Sequence, residues 1–465
     1  MDLNGFTIDL PFWLTFFERP IAEQAMLLFA LGAWVPLAAF FIKALGELWV
    51  LYRQTVKNVS HWEWVILAVD IPPMFIQSPK AVEQIFAQLS GTLQHIDVGG
   101  KFWQGKKQKW FSLEVISIEG YIQFLVRTEA EYRDLVEAAI YAQYTDAQIT
   151  EVEDYVDNIP SSYPNEEYDV MGVEFKLSQP DPYPIRTYPS FQYNLSKDAV
   201  FSDPMAAILE NFTRIGRGEN LWLEIIVEPV DNNWKNKGIT LAKSLMKGED
   251  DHGPGGGLLT QAGSVPGLML KEFFNILHWN FEEEHHDDKK EKKVDITPGT
   301  RSTVEAIEEK ISKIGFKSKV RILYAAKKNV YSPNHCIEGI IGAMNQFHIM
   351  NRNAIVPYMA THAHYDSSHV KSNRLKNSFV QAFKKRKMKW KFQDGYILNI
   401  EELATVWHFP LPFVKTPLLQ KAGHKKSEPP AGLPIETSEP HLRKKGEGEK
   451  GAADEDEPPE NLPFG

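Results

Sequence analysis

Hydrophobic and polar positions along the chain follow three successive patterns. The first is an uninterrupted apolar run. From Ala25 to Ile42 the sequence reads AMLLFALGAWVPLAAFFI, eighteen residues without a charge, and the apolar stretch extends to about 21–45. At about 1.5 Å per residue it reaches across a ~30 Å hydrocarbon core, which predicts one transmembrane helix. Pro36 falls mid-span, where a membrane helix tolerates it. Leu10–Phe17, LPFWLTFF, precedes the span and suits the headgroup layer. An acidic start (Asp2, Asp9) with no small-residue cleavage site argues against a signal peptide. Arg19 flanks one side, and Lys43, Arg53 and Lys57 the other. The positive-inside rule then puts the C-terminal bulk on the cytoplasmic side of the membrane. Residues 1–59 are read as this interfacial segment and single span.

The second pattern mixes period-2 and period-3.6 stretches. Trp62–Ile71 predicts a strand. Ser78-Pro79 opens a helix with Val82, Ile85, Phe86 and Leu89 on one face. Lys109–Ile118 and Tyr121–Arg127 read as strands joined at Glu119-Gly120. Thr128, with Glu131 three residues on, reads as a capping box for a helix to about Tyr141, and Gln148–Val156 as a last strand. The order β-α-β-β-α-β predicts a ferredoxin-like domain over 60–158. A second α/β domain is expected over 159–410. Its strands are Asp169–Leu177, Leu221–Pro229, Lys319–Ala326 and one near Met388–Phe392. Its helices begin near Asp203, Asn232, Thr303, Asn334 and Ile400. Residues 248–300, with GPGGG and EEEHHDDKKEKK, read as a flexible insertion.

The third pattern is no pattern. Residues 411–465 are rich in Pro, Lys and Glu and read as a disordered tail. The fold class is therefore α+β: a transmembrane helix, two ferredoxin-like or α/β-sandwich domains, and the tail.

Composition narrows the chemistry. A net charge of −10 argues against a general nucleic-acid coat. The single cysteine, Cys336, excludes an internal disulfide and a cysteine-based zinc or iron–sulfur site, and reads as a buried thiol. Gly100–Lys107, GKFWQGKK, imitates a phosphate-binding loop. It has Lys107 where Ser or Thr would hold magnesium, and it precedes a strand instead of entering a helix. His362, His364 and His369 form an H-x-H…H cluster with Asp366. They are the basis of one alternative, a membrane-anchored metal-dependent hydrolase. With no second carboxylate beside them a polar loop is the plainer reading, so no catalytic residue, metal or cofactor is assigned. The candidate contact site is basic: Lys384, Lys385, Arg386, Lys387, Lys389, Trp390 and Lys391, in the run FKKRKMKWKF. Six cations among aromatics can hold phosphates and stack bases, or meet anionic lipid as a lipid-binding scaffold, or simply form a solvated edge.

Three stretches carry a resemblance: Ser117–Val156, Ser202–Pro229 and Gly395–Pro410 (GYILNIEELATVWHFP). Together they resemble the membrane-anchored N-terminal region, a domain of unknown function, of bacterial type IV secretion and conjugative DNA-transfer ATPase-like proteins. The third stretch matches an LN-x-EELA-x-x-x-H-x-P segment that in the family precedes a Pro-rich connector, matched here by Pro429–Pro434. In longer relatives an ATPase domain follows the connector, and this sequence carries no Walker A motif. The resemblance therefore implies a non-catalytic scaffold of a translocation machine. Its implied partners are a separate P-loop ATPase, further copies of itself, the membrane and DNA.

Overall fold

The computed structural model describes residues 2–3, 6–7, 19–30, 34–72, 77–195, 198–201, 203–247, 297–361, 369–391 and 394–410. The expected interfacial segment Leu10–Phe17, nearly all of the insertion 248–300 and the tail 411–465 lie outside them. The chain divides into two compact units. One comprises Met1–His61, His95–Lys107 and Asp251–Lys293, the other Trp62–Gln94, Gln108–Asp250 and Val294–Gly465.

In the first unit the apolar stretch is carried by two helices, α1 (Ile21–Ala30) and α2 (Trp34–Tyr52). Among the described residues no helix is long and apolar enough to cross a membrane. The expectation of one span over 21–45 is therefore not supported. Ten residues of α1 rise only about 15 Å, and α2 runs on through Lys43 and Glu47. Pro36 lies in the first turn of α2, where its missing N–H costs nothing. α2 continues into a π-helical turn, Arg53–Asn58, and a 3₁₀ turn, Val59–His61.

The second unit is α+β and is built on one antiparallel sheet. In chain order its elements are β1 (Trp64–Asp70), α3 (Pro79–Leu89), β2 (Phe111–Ile118), β3 (Tyr121–Glu129), α4 (Arg133–Tyr141) and β4 (Gln148–Val152). There follow β5 (Tyr168–Leu177), α5 (Pro204–Phe212), β6 (Glu219–Pro229), α6 (Trp234–Met246), α7 (Pro298–Ser312) and β7 (Gly315–Lys327). The last are α8 (Asn334–Met344), β8 (Ile355–Ala360), α9 (Val370–Lys384), β9 (Tyr396–Asn399) and α10 (Ile400–Val406).

The sheet order is β8-β5-β7-β6-β2-β3-β1-β4, with β9 also pairing β7. Read outward from the centre, each half places its second, third, first and fourth strands in that order. The halves meet where their second strands pair, Asn220↔Ile118 through Val227↔Phe111. The β-α-β-β-α-β order expected over 60–158 is present, but it does not end in a separate domain. Its inner edge is the partner of the next region's inner strand, so one sheet runs through both.

Alternation along each strand divides the sheet's faces. Leu113, Val115, Leu223, Ile225, Val320 and Ile322 point to one side and pack beneath α3, α4, α5, α8 and α10. Ile116, Trp222, Leu323 and Ala325 point to the other, under α9 and the 155–163 segment. Several boundaries differ from expectation. Thr128 stays in β3, and Glu129 caps the next turn through the Glu131 N–H. No strand forms near Met388–Phe392 among the described residues. Before it lies α9, whose Leu375, Phe379, Val380 and Phe383 have helical spacing diluted by the surrounding lysines.

At Gly172 of β5, α9 packs close against the sheet. A Cβ there would lie 2.2 Å from Cε1 of Phe379, a fully buried ring. Gly172→Ala is expected to lower unfolding stability by about 1–3 kcal/mol through overpacking, read as a shift in denaturant midpoint. An unchanged midpoint would contradict this seating of α9.

Candidate functional site

The basic strip divides residue by residue. Lys385, Lys387, Lys389 and Lys391 are exposed. Lys384 is half-buried and donates to the Ile159 carbonyl (2.7 Å) and Ser161 Oγ (2.9 Å). Burial pulls its pKa down, against the pull of Asp157 and Asp154. Trp390 is buried on the Phe379 ring, centroids 4.9 Å apart, and its Nε1 donates to Ser378 Oγ. No base can stack on it there. Arg386 is fully buried. Its guanidinium donates to Glu114 (3.0 and 3.2 Å) and to Asp154 (2.8 Å), and it lies over the Tyr155 ring. Two of the seven candidate contact residues are thus part of the interior. The sequence signal for this was the alternation of Arg386, Met388 and Trp390 with lysines, a half-buried pattern lying inside a charge run.

Beneath Arg386 the second face of the sheet holds a row of charges at adjoining register positions. Glu114 faces Glu224, Glu224 faces Arg321, and Arg321 faces Glu174, across β2, β6, β7 and β5. All four are buried. Arg321 Nε donates to Glu224 (2.6 Å), and Lys319 Nζ to Glu174 (2.8 Å). Arg127, also buried, sits 3.9 Å over the Trp64 ring. Four acids (Glu114, Asp154, Glu174, Glu224) and four bases (Arg127, Lys319, Arg321, Arg386) therefore balance. Burial pushes the Glu224 carboxyl up to about 7; Arg321 opposes the rise and Glu114 adds to it. Burial raises Glu174 as well, against Lys319. Acids and bases so placed and so paired read as structure, since breaking one pair would strand its partner.

The motif at Gly395–Pro410 is a second buried hub. Asn399 and Glu402 form a reciprocal capping box on α10. Glu402 also accepts from the Ile185 N–H (2.9 Å) and pairs with buried Lys310 at 3.0 Å. Thr405 accepts from the Tyr188 N–H. His408 places one ring nitrogen 2.8 Å from the Ala404 carbonyl and the other 2.9 Å from Asp203, which caps α5. Trp407 and Phe409 pack on Phe124 of β3. Each polar letter of the motif holds backbone or a neighbouring helix.

The other candidates resolve simply. Cys336 is buried, and burial pushes its thiol up to about 12, as a structural thiol requires. His362 and His364 lie outside the described residues. His369 precedes α9 with a left-handed φ of 55°. Among the described residues no three His, Cys, Asp or Glu side chains are placed to hold a metal ion. His369 lines a cavity of about 690 Å³ with Tyr168, Lys328, Tyr331, Asn334 and Lys376. Lys376 is paired there with Asp169, and burial suppresses ionisation of the Tyr331 phenol. The phosphate-loop lookalike is a π-helical turn, Gly100–Gln104, and not a strand-to-helix loop.

The family described as Domain of unknown function (DUF8128) matches residues 82–421. That range takes in the whole charge row and the α10 hub. No curated protein matches the chain.

The raised Glu224 pKa has a testable sign. Between about pH 4.5 and 7 the folded chain keeps a proton there that the unfolded chain releases, so this group's contribution to stability falls as pH rises. Glu224→Gln imitates the protonated form. Its stability relative to the parent is expected to rise from pH 4.5 to pH 8, because the parent alone loses the contribution of the retained proton over that range. Denaturant midpoints at the two pH values measure this. A difference between variant and parent that stays the same at both pH values would contradict it.

Proposed function

The chain belongs to the DUF8128 family, and we propose that it is a non-catalytic scaffold held at a membrane by its N-terminal helices. The observation that carries this reading is the surface of α2. Phe40, Phe41, Ile42, Leu45, Leu48 and Leu51 are each more than half exposed. Successive residues on a helix are about 100° apart, so Phe40, Phe41 and Ile42 alone cover more than half of its circumference. Lys43 and Glu47 interrupt this surface, but a helix so largely apolar around its circumference belongs in a protein core or in lipid. Ile21, Met26 and Phe29 extend the same exposed surface along α1.

The second unit complements this as a contact body. We read it as two ferredoxin-like units fused through their inner strands, with its buried charges engaged in holding the sheet together. The resemblance of Ser117–Val156, Ser202–Pro229 and Gly395–Pro410 supplies the setting: a type IV secretion or conjugation-like translocation machine. There the scaffold would engage a P-loop ATPase and neighbouring copies of itself. The Lys and Arg residues after α1 favour the cytoplasmic face of the inner membrane for the second unit. If DNA touches the scaffold, the exposed Lys385, Lys387, Lys389 and Lys391 are the fringe it meets.

Fractionation of cells producing the full chain tests the membrane assignment. The protein is expected in the membrane pellet after washes in high salt and alkaline carbonate, and to be released by detergent, with a P-loop ATPase copurifying from the extract. Recovery in the soluble fraction would overturn the reading.

A further inference from the structure

Just past the apolar surface of α2, two segments about fifty residues apart in sequence form a collar. The Trp49 indole donates to the Phe102 carbonyl (3.0 Å), the Arg53 guanidinium to the Trp103 carbonyl, and the Gln54 amide to the Lys106 carbonyl (3.1 Å). The Arg53 guanidinium lies over the Trp49 ring, which is 6.3 Å from the Tyr52 ring. The Phe102 ring lies over Gly46. Gly105 closes the loop with φ 71°, and a Cβ there would lie 2.5 Å from the Arg53 carbonyl oxygen. The glycine that imitates a nucleotide-binding loop therefore serves close packing.

What these contacts leave outward is specific in kind. Trp103 is 69% exposed, and Trp49, Tyr52 and Phe102 are also exposed. Lys57, Lys101 and Lys106, carried by the same two segments, are exposed as well. Aromatic rings with one polar edge favour the boundary between hydrocarbon and water, and a cation fringe next to them favours negative headgroups. A largely apolar helix surface, an aromatic belt and a cation fringe follow one another in the order of a bilayer's layers.

We propose that this collar is a docking site for anionic phospholipid headgroups. The proposal rests on the membrane reading above and adds a lipid preference to it. Its apolar and aromatic part binds any bilayer. Lys57, Lys101 and Lys106 supply the preference for negative charge.

The test is flotation of the full chain, purified in detergent, with vesicles of phosphatidylcholine alone and of phosphatidylcholine with phosphatidylserine. The parent is expected to bind both and to favour the anionic vesicles, less so as salt is raised. The triple variant K57Q/K101Q/K106Q changes exposed side chains only. It should keep its binding to neutral vesicles and lose about 100-fold in affinity for anionic ones, at roughly fivefold per lysine. Equal binding of the parent to both compositions, or an undiminished preference in the variant, would overturn the headgroup site while leaving the membrane reading intact. Binding to neither vesicle would overturn both.

Discussion

Two glutamates face each other where the halves of the sheet join. Glu114 of β2 and Glu224 of β6 are directly opposite and fully buried, an arrangement that repels unless each carboxylate is neutralised. Arg321 answers Glu224 from the adjacent strand. Arg386 answers Glu114 from beyond the end of α9, and reaches Asp154 in the same grip. Neutralising Glu114 therefore requires α9 to lie across the sheet's second face. That cover in turn brings Phe379, Phe383 and Trp390 down onto Trp222 and Tyr155. In the observed register each buried acid of the row lies beside a cation.

The same constraint explains which parts of the fold could be read from sequence. Strands β1, β2, β3, β5 and β6 were legible because one face alternates or both are apolar. The capped helices α3 and α5 were legible from Ser78-Pro79 and Asp203-Pro204. The continuity of the sheet was not, since pairing between β2 and β6 depends on residues more than a hundred positions apart. The basic run misled for a physical reason. Charge in sequence predicts exposure unless a partner of opposite sign is buried opposite it, and the partners, Glu114 and Asp154, lie over two hundred residues away. The apolar stretch is carried by two described helices, and Pro36 lies in the first turn of the second.

The chain divides its work between two kinds of surface. The first unit exposes aliphatic and aromatic side chains that a folded protein ordinarily hides, ordered from an apolar helix to an aromatic and basic collar. The second hides ionised side chains that a folded protein ordinarily exposes. Its distinguishing motif, from Asn399 to His408, is a lattice of caps and buried ion pairs holding α10 to α5 and to the segment Ile185–Tyr188.

Arg386 acts as a clasp within the fold and not as a contact for an outside ligand. Equilibrium unfolding of Arg386→Met, compared with the parent at neutral pH, separates the two. The clasp predicts a loss of about 3–5 kcal/mol, because Glu114 is left buried without its cation. Stability within about 0.5 kcal/mol of the parent, as expected for a surface cation, would contradict it.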